Sequence, residues 1–478
     1  MNKRNMKKLF IGLVFLAWGG AVAAQRTLSL EDCRQLAIAN NKKLKIAEAE
    51  SRASKALKEE AFTKYLPALD GTGVYLRNQK EINLLKHDAY LPVGTIGADG
   101  KWTLRPEDLP HQRPSEYALL PKEAMTVDDR NTAVIQLGLT QPVFMGGKIR
   151  AYNQLAGLSE QLSGQKKDLE LQQVILSVDE AYWQVVSLVN RRKLADKYVQ
   201  SLKKFLHDIE MMYQTGVSTK ADVLSVRVKL NEAEMVQLKV GDGLSLSRMQ
   251  LNQICGLSTD SIYPLREEEI EVLPVTALPK RNLEQIYASR PEITGLEIAT
   301  RIYRKKEKIA LADYLPSVAL MANYFTSTPS FFNGISNRFD GMWSVGVGIK
   351  APIFHWGASR KTLRYAKEQT GIMEYRLQEA REQIELQVSQ SEFRMNEASK
   401  KLELALKNRE KAQENLKYAD LGFQEGTIPL LNVLEAQTAW LSANSQLIDA
   451  QIEVKLCEVY LQKAYGILGS ETGEQGKE

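Results

Sequence analysis

Cysteine is scarce in this chain, three in 478 residues, at Cys33, Cys255 and Cys457. Thiols so few and so scattered exclude a disulfide framework, and each is expected to serve as a small buried apolar side chain. Histidine is nearly as scarce: His87, His111, His207 and His355 stand isolated, so no zinc-type pair exists. A Gly-x-Ser-x-Gly elbow and a phosphate-binding loop are both missing, and Gly71-Thr72-Gly73 lacks the third glycine of a dinucleotide fingerprint. These absences argue against an enzyme, and no cofactor is expected. Beyond the first 24 residues there is no apolar run long enough for a membrane-spanning helix.

An excess of one charge is lacking too, once the N-terminus is set aside. Lys3, Arg4, Lys7 and Lys8 precede the apolar run from Leu9 to Trp18, and Ala21-Val22-Ala23-Ala24 follows before Gln25. That is the pattern of a secretory signal peptide over residues 1–24, cleaved near Ala23 or Ala24. No cysteine follows the cleavage site, so a lipid anchor is not indicated. Loss of four cations from 63 leaves 59 basic against 58 acidic side chains, a net of about +1. The basicity belongs to the leader, and no nucleic-acid partner is expected. An exported chain with no spanning helix is either soluble or part of a β-barrel.

What is present is an uninterrupted heptad seam. Leu171, Val174, Val178, Ala181, Val185, Leu188, Arg192, Ala195, Val199, Leu202, Leu206, Ile209 and Tyr213 follow at spacings of three and four, with no Gly or Pro among them. Shifted by 210, the seam recurs through Ile384, Val388, Met395, Ala398, Leu402, Ala405, Ala412, Leu416, Ala419 and Phe423. The chain is therefore two copies of one long-helix unit: a first repeat over 25–257, a linker over 258–281 containing Pro264, Pro274 and Pro279, and a second repeat over 282–469. Residues 470–478 read as a disordered tail.

Each repeat opens with a helix, over 27–64 and again over 282–313. The first ends at Tyr65-Leu66-Pro67 and the second at Tyr314-Leu315-Pro316, an offset of 249. The period then changes to two. Ile135, Leu137 and Leu139 alternate with Gln136, Gly138 and Thr140; Val345, Val347 and Ile349 alternate with Ser344, Gly346, Gly348 and Lys350. Leu69, Gly71, Gly73 and Tyr75 align with Val318, Leu320, Ala322 and Tyr324 as weaker strands. Each strand has the roughly ten-residue reach of a tilted membrane strand. Tyr65, Phe144, Tyr314 and Phe354 gather at one end and Tyr75, Tyr324 and Trp343 toward the other, as interfacial aromatics do. A soluble hairpin with one face on a core alternates identically; the leader and the aromatic girdles favour lipid. Between the paired strands, the loop over 77–131 carries Pro92, Pro106, Pro110, Pro114 and Pro121 and reads as an irregular surface excursion, against a short loop over 326–341.

Helices then start near Gly147 and Gly357 and run to Tyr213 and Phe423. Some 67 residues at about 1.5 Å each span about 100 Å, three times the hydrocarbon thickness of a bilayer. Gly216 and Gly426 stand where a helix end wants a left-handed residue. Thr219 with Asp222 resembles a capping box, and Pro429 suits a first helical turn. Return helices about half as long follow. Four strands cannot close by themselves, and open edges in lipid are costly. Two chains give an eight-stranded barrel filled by its own side chains; three give twelve strands and a lumen.

The duplicated pattern, the Tyr-Leu-Pro segments, Arg290-Pro291-Glu292, and the turns Gly216…Asp222-Val223-Leu224 and Gly426…Asn432-Val433-Leu434-Glu435-Ala436 resemble the TolC family of outer-membrane efflux proteins over nearly the whole mature chain. The resemblance implies a mainly α fold with a transmembrane β part: a homotrimeric channel-tunnel whose 12-stranded barrel, four strands per chain, continues into a long α-helical coiled-coil barrel. It implies outer-membrane lipid around the strands, a periplasmic membrane-fusion adaptor at the tip, and an inner-membrane transporter of RND, ABC or MFS type, in tripartite efflux or type I protein secretion. By that likeness Gly216, Val217, Ser218, Gly426, Thr427 and Ile428 receive the adaptor. Asn432 and Glu435 match the pore constriction, where only one of the two family carboxylates remains. Three copies of Glu435 would form a cation-favouring ring, or Glu435 is simply a solvated helix face. Asp222 reads as a helix-start residue or as part of the gate. A soluble periplasmic coiled-coil scaffold is the alternative of another class.

Overall fold

A computed structural model describes residues 27–266, 279, 281–330, 332 and 336–469. The expected leader and tail lie outside the described residues, as does part of the linker. Two compact units form, each drawing on both repeats. Among the described residues the first takes 27–56, 157–303 and 369–469, and the second takes 57–156 and 304–368.

The chain begins with α1 (Leu30–Asn40) and α2 (Lys42–Thr63). Strand β1 (Ala68–Arg77) leads into six short strands: β2 (Ile82–Asn83), β3 (Ala89–Pro92), β4 (Thr95–Ile96), β5 (Trp102–Thr103), β6 (Tyr117–Leu120) and β7 (Thr126–Val127). Strand β8 (Asn131–Met145) precedes the long α3 (Lys148–Gln214) and its return helix α4 (Lys220–Cys255). The second repeat runs α5 (Leu283–Ser289), α6 (Pro291–Ala312), β9 (Ser317–Thr328), β10 (Asp340–Lys350), α7 (Ala358–Gln424) and α8 (Leu430–Ala464). Helices α3 and α7 are both 67 residues long.

The first unit is held by the heptad seams. Val174, Val178, Tyr182 and Val185 of α3 pack with Cys33 and Ala37 of α1 and Leu251 and Cys255 of α4. In the second repeat Ile384 and Val388 of α7 pack with Ile286, Ile293, Leu461 and Tyr465. Burying each such aliphatic side chain contributes about 2 kcal/mol. A buried ion pair ties α1 to α3: Arg34 Nε and Nη2 reach the two oxygens of the fully buried Asp179 at 2.7 and 2.6 Å.

The opening helix of each repeat is broken where the sequence predicts one continuous helix. Asn41 caps α1 in an extended conformation (φ −62°, ψ 129°), and Arg290 does the same after α5 (φ −92°, ψ 115°). Arg290 precedes Pro291, whose ring excludes the helical region from its neighbour. At Asn41 the cause is the side chain, which accepts from Lys43 N and donates to the carbonyl of Ile254 at 3.4 Å. Both breaks serve the same purpose. Asn40 donates to the carbonyl of Cys255 at 3.3 Å, and Ser289, the equivalent residue 249 positions later, donates to that of Tyr465 at 3.0 Å. The unsatisfied last carbonyls of the return helices are thus closed by the opening helices.

In the second unit the strands form one antiparallel sheet in the order β1-β8-β9-β10. A register shift between Pro142 and Phe144 marks a bulge where proline cannot donate to the ladder. The loop over 77–131 is not irregular. It is one long ribbon of three successive antiparallel ladders, β2 with β7, β3 with β6, and β4 with β5. Ladders of two to four residues are too short to register as a period of two. The prolines sit at ladder ends and in turns, with Pro92 closing β3 and Pro121 capping a 3₁₀ turn. Arg105 braces the ribbon by pairing with Glu116 at 2.6 Å.

Candidate functional site

Two regions carry the predicted residues, one in each unit. In the sheet of the second unit, register sorts the side chains by face. Leu69 stands opposite Leu139, Leu137 opposite Tyr324, Tyr324 opposite Trp343, and Leu320 opposite Val347. Since neighbours across a ladder share a face, one surface is a continuous apolar field. It is open rather than covered: Leu69 is 70% exposed, Trp343 76%, Val345 69% and Ile349 71%. The opposite surface is mixed: Thr72, Gln136, Gly138, Thr140, Asn323, Ser344 and Lys350 are interleaved there with Val74, Val134, Met321, Phe325 and Met342. Strands β1 and β10 are the outer strands, each paired along one side only.

The aromatic residues Tyr65, Tyr75, Phe144, Tyr314, Tyr324, Trp343 and Phe354 are all exposed. Sequence reasoning missed Trp356. It packs edge-on against Phe354 with ring centroids 4.9 Å apart, is 88% exposed, and holds a left-handed backbone at φ +48°. Its proximity to Phe354 in sequence was the available signal. Ile353, beside them, is 95% exposed.

The turns lie in the first unit and follow one plan. Val217 N donates to Met212 O at 2.9 Å and Gly216 N to Tyr213 O at 3.1 Å, a Schellman closure. In the second turn Thr427 N donates to Gly422 O at 2.8 Å and Gly426 N to Phe423 O at 3.0 Å. Gly216 and Gly426 hold φ of +80° and +71°, as the closure demands. Ile428 lies over Gly422, where an added Cβ would come within 2.6 Å of the isoleucine tip. Val217 is 76% exposed.

The turns then diverge. Asp222 accepts from Thr219 N at 2.9 Å and Thr219 Oγ1 at 2.7 Å, while its own amide donates to Thr219 Oγ1, completing a capping box. The Thr219 bonds hold the Asp222 carboxyl below the ordinary carboxylate range. In the second repeat Pro429 is not inside the first helical turn. It is the N-cap of α8, extended at φ −66°, ψ 152°, with no side-chain cap bond. A ring fixed near that φ suits a cap with extended ψ equally well.

Asn432 and Glu435 are exposed on the first turns of α8. Glu435 has no hydrogen-bond or ion-pair partner among the described residues, whereas nearby Glu232 takes Lys229 at 2.9 Å. A groove of about 850 Å³ lies between α4 and α8, lined by Leu224, Val228, Lys229, Leu431, Glu435 and Thr438. One cluster joins the starts of both return helices: Val223, Val226 and Leu230 pack with Leu430 and Leu434. The structure therefore brings the two turns and Glu435 to the same packed end of the first unit, with Asp222 engaged in its cap.

The profile of the outer membrane efflux protein family matches residues 33–257 and 282–467. The chain belongs to that family. Alkaline protease secretion protein AprF of Pseudomonas aeruginosa is 24% identical over 250 residues, covering 52% of this chain and 50% of AprF. The chain thus spans about half the length of that relative. Outer membrane protein TolC of Escherichia coli is 21% identical over 360 residues, 71% of each chain. Among solved structures, CusC superposes with a TM-score of 0.73 at 16% identity over 91% of each chain. The fold is that of the TolC-like channel-tunnel proteins, and the family is one of outer-membrane channels and not of enzymes. Among the described residues no helix is long and apolar enough to cross a membrane, and no group of three or more His, Cys, Asp or Glu is arranged to hold a metal.

Proposed function

We propose that this chain is the passive exit duct of a tripartite efflux system, a homotrimer with its strands in the outer membrane and its long helices in the periplasm. The observation that carries it is the sheet: four strands with an uncovered apolar face, an opposite face that gathers the sheet's polar and glycine positions among a few apolar ones, and two outer strands each lacking a partner on one side. Water on the apolar field would forfeit its burial energy, and lipid at an open edge would strand backbone groups at several kcal/mol each. Three copies resolve both problems by closing twelve strands, with Gly138, Thr140, Ser344 and Lys350 toward the water. A soluble periplasmic scaffold would leave the same apolar field in water.

The turns at Gly216, Val217, Ser218 and at Gly426, Thr427, Ile428 are the docking points for a periplasmic membrane-fusion adaptor, and the energy comes from an inner-membrane transporter of RND, ABC or MFS type. Asn432 and Glu435, with Asp222 behind its cap, lie at the constriction. The likeness to AprF, whose name specifies protease secretion, supports type I protein secretion as the second reading of the same duct. Fractionation with planar-bilayer recording tests the proposal. Retention in the outer membrane, resistance to salt extraction and a conducting trimer are expected; release with the periplasmic fraction would overturn it.

A further inference from the structure

Cys33 and Cys255 meet in the core of the first unit although 222 positions separate them in sequence. The Sγ of Cys255 lies 3.6 Å from the main-chain oxygen of Cys33. Since a carbonyl oxygen sits about 2.4 Å from its own Cα, that sulfur is within about 6 Å of the Cys33 Cα. Both are free thiols, and the neighbouring Cys33 side chain holds the Cys255 thiol below the usual cysteine range. Both residues are 0% exposed and share one cluster with Ala37 and Leu251. The end of α1 is tied to the end of α4 by separate bonds from Asn40 to Cys255 O and from Asn41 to Ile254 O. Cys457 belongs to a different cluster, with Ala398, Leu402 and Val454.

We propose that in the exported chain Cys33 and Cys255 are joined by an intrachain disulfide that staples α1 to the last turn of α4. A sulfur already against the other cysteine's main chain, within one packed cluster, needs little movement to reach bonding geometry. The chemistry is thiol–disulfide exchange with a disulfide oxidant, either a small molecule or an oxidoreductase. One protein thiolate attacks a sulfur of the oxidant and expels one thiol. The second protein thiolate then attacks the protein sulfur of the mixed disulfide and expels the other. Two protein thiols lose two electrons and two protons, and the oxidant disulfide becomes two thiols. Exchange precedes closure of the core during folding, because neither sulfur is reachable afterwards. The staple closes the loop that contains β1, β8 and all of α3, and fixes the helix that begins the described chain. The proposal rests on the outer-membrane reading only for its supply of oxidant.

Full-length protein taken from cells into an alkylating buffer, unfolded, and labelled with a polymer maleimide before and after reduction tests it. Of the three cysteines, one, Cys457, is expected to react before reduction and all after it, with a Cys33–Cys255 cross-linked peptide in the unreduced digest. All three reacting without reduction, in protein recovered from the outer membrane, would overturn the staple while leaving the duct intact. A cross-link through Cys457 would overturn it equally. Should the protein fractionate elsewhere, the duct reading fails, and purified chain in oxidised glutathione decides the pairing: a Cys33–Cys255 link sustains it and its absence ends it.

Discussion

The Arg290 guanidinium donates to the main-chain carbonyl of Lys463 at 2.8 Å, closing the end of the final helix from 173 positions away. The same side chain also reaches Glu292 at 3.0 and 3.1 Å and Gln387 at 3.0 Å, and it is only 4% exposed. Removing it strands two carbonyls and a carboxylate together. Arg290→Ala is expected to cost about 3 kcal/mol, and Arg290→Lys to recover only part, since one ammonium cannot replace a planar fork. Chemical unfolding of detergent-solubilised protein measures both. Asn41→Ala, at the matching position of the first repeat, should cost about 1 kcal/mol.

The left-handed glycines of the turns give a graded series. Gly216→Ala and Gly426→Ala are each expected to cost about 1 kcal/mol, with Asn in their place tolerated better. Gly422→Ala acts differently, because its methyl group would displace Ile428 rather than strain its own backbone. Protease sensitivity of the turns separates the two effects: cleavage near 428 should rise for Gly422→Ala even at unchanged thermal midpoint.

Tyr465 links stability to alkaline pH. Burial, reinforced by Glu392 at 2.8 Å, pushes its phenol up to about 12 from an ordinary 10.0. A group whose proton is held more tightly when folded contributes stability fully below its unfolded pKa and loses it as pH rises toward the folded value. The contribution should therefore fade between pH 10 and about 12. Equilibrium unfolding across that window should show a steeper decline for the natural chain than for Tyr465→Phe; parallel curves would remove the linkage.

At the proposed constriction, Glu435→Gln deletes one carboxylate per copy from an exposed position with no partner among the described residues. Cation selectivity in single-channel recordings is expected to fall while the fold is unaffected. Unchanged selectivity would leave Glu435 a solvated helix face.

The two faces of the sheet should respond oppositely to charge. Val345→Arg, in the apolar field, is expected to cost about 2–4 kcal/mol of membrane stability, and Ser344→Arg, one residue away, far less. The fraction of heat-modifiable trimer recovered in the outer membrane reports the difference.

Much of this was legible because the periodicities are long. The thirteen-position seam over 171–213 leaves little room for any element but a helix, and α3 and α7 end within one residue of the expected Tyr213 and Phe423. Thr219 and Asp222 announce their capping box by spacing. The break at Asn41 was not visible, since asparagine is an ordinary helix residue until a carbonyl 213 positions away claims its side chain. Arg290 is betrayed by the proline after it. The ribbon over 77–131 escaped because its strands are shorter than the window in which alternation can be counted. For the proposed constriction, sequence supplied the residue types at Asn432 and Glu435, but their solvent exposure, and the absence of a partner for Glu435 among the described residues, are properties only of the folded chain.

The equal length of α3 and α7 makes the reach of this protein a dimension written twice. Seven residues inserted into one long helix alone would carry its turn about 10 Å past the other and pull apart the cluster that Val226 and Leu434 now share. A longer or shorter descendant must therefore be edited in duplicate, in the return helices as well as the outgoing ones. The gap the proposed duct can bridge is set by whole heptads changed together.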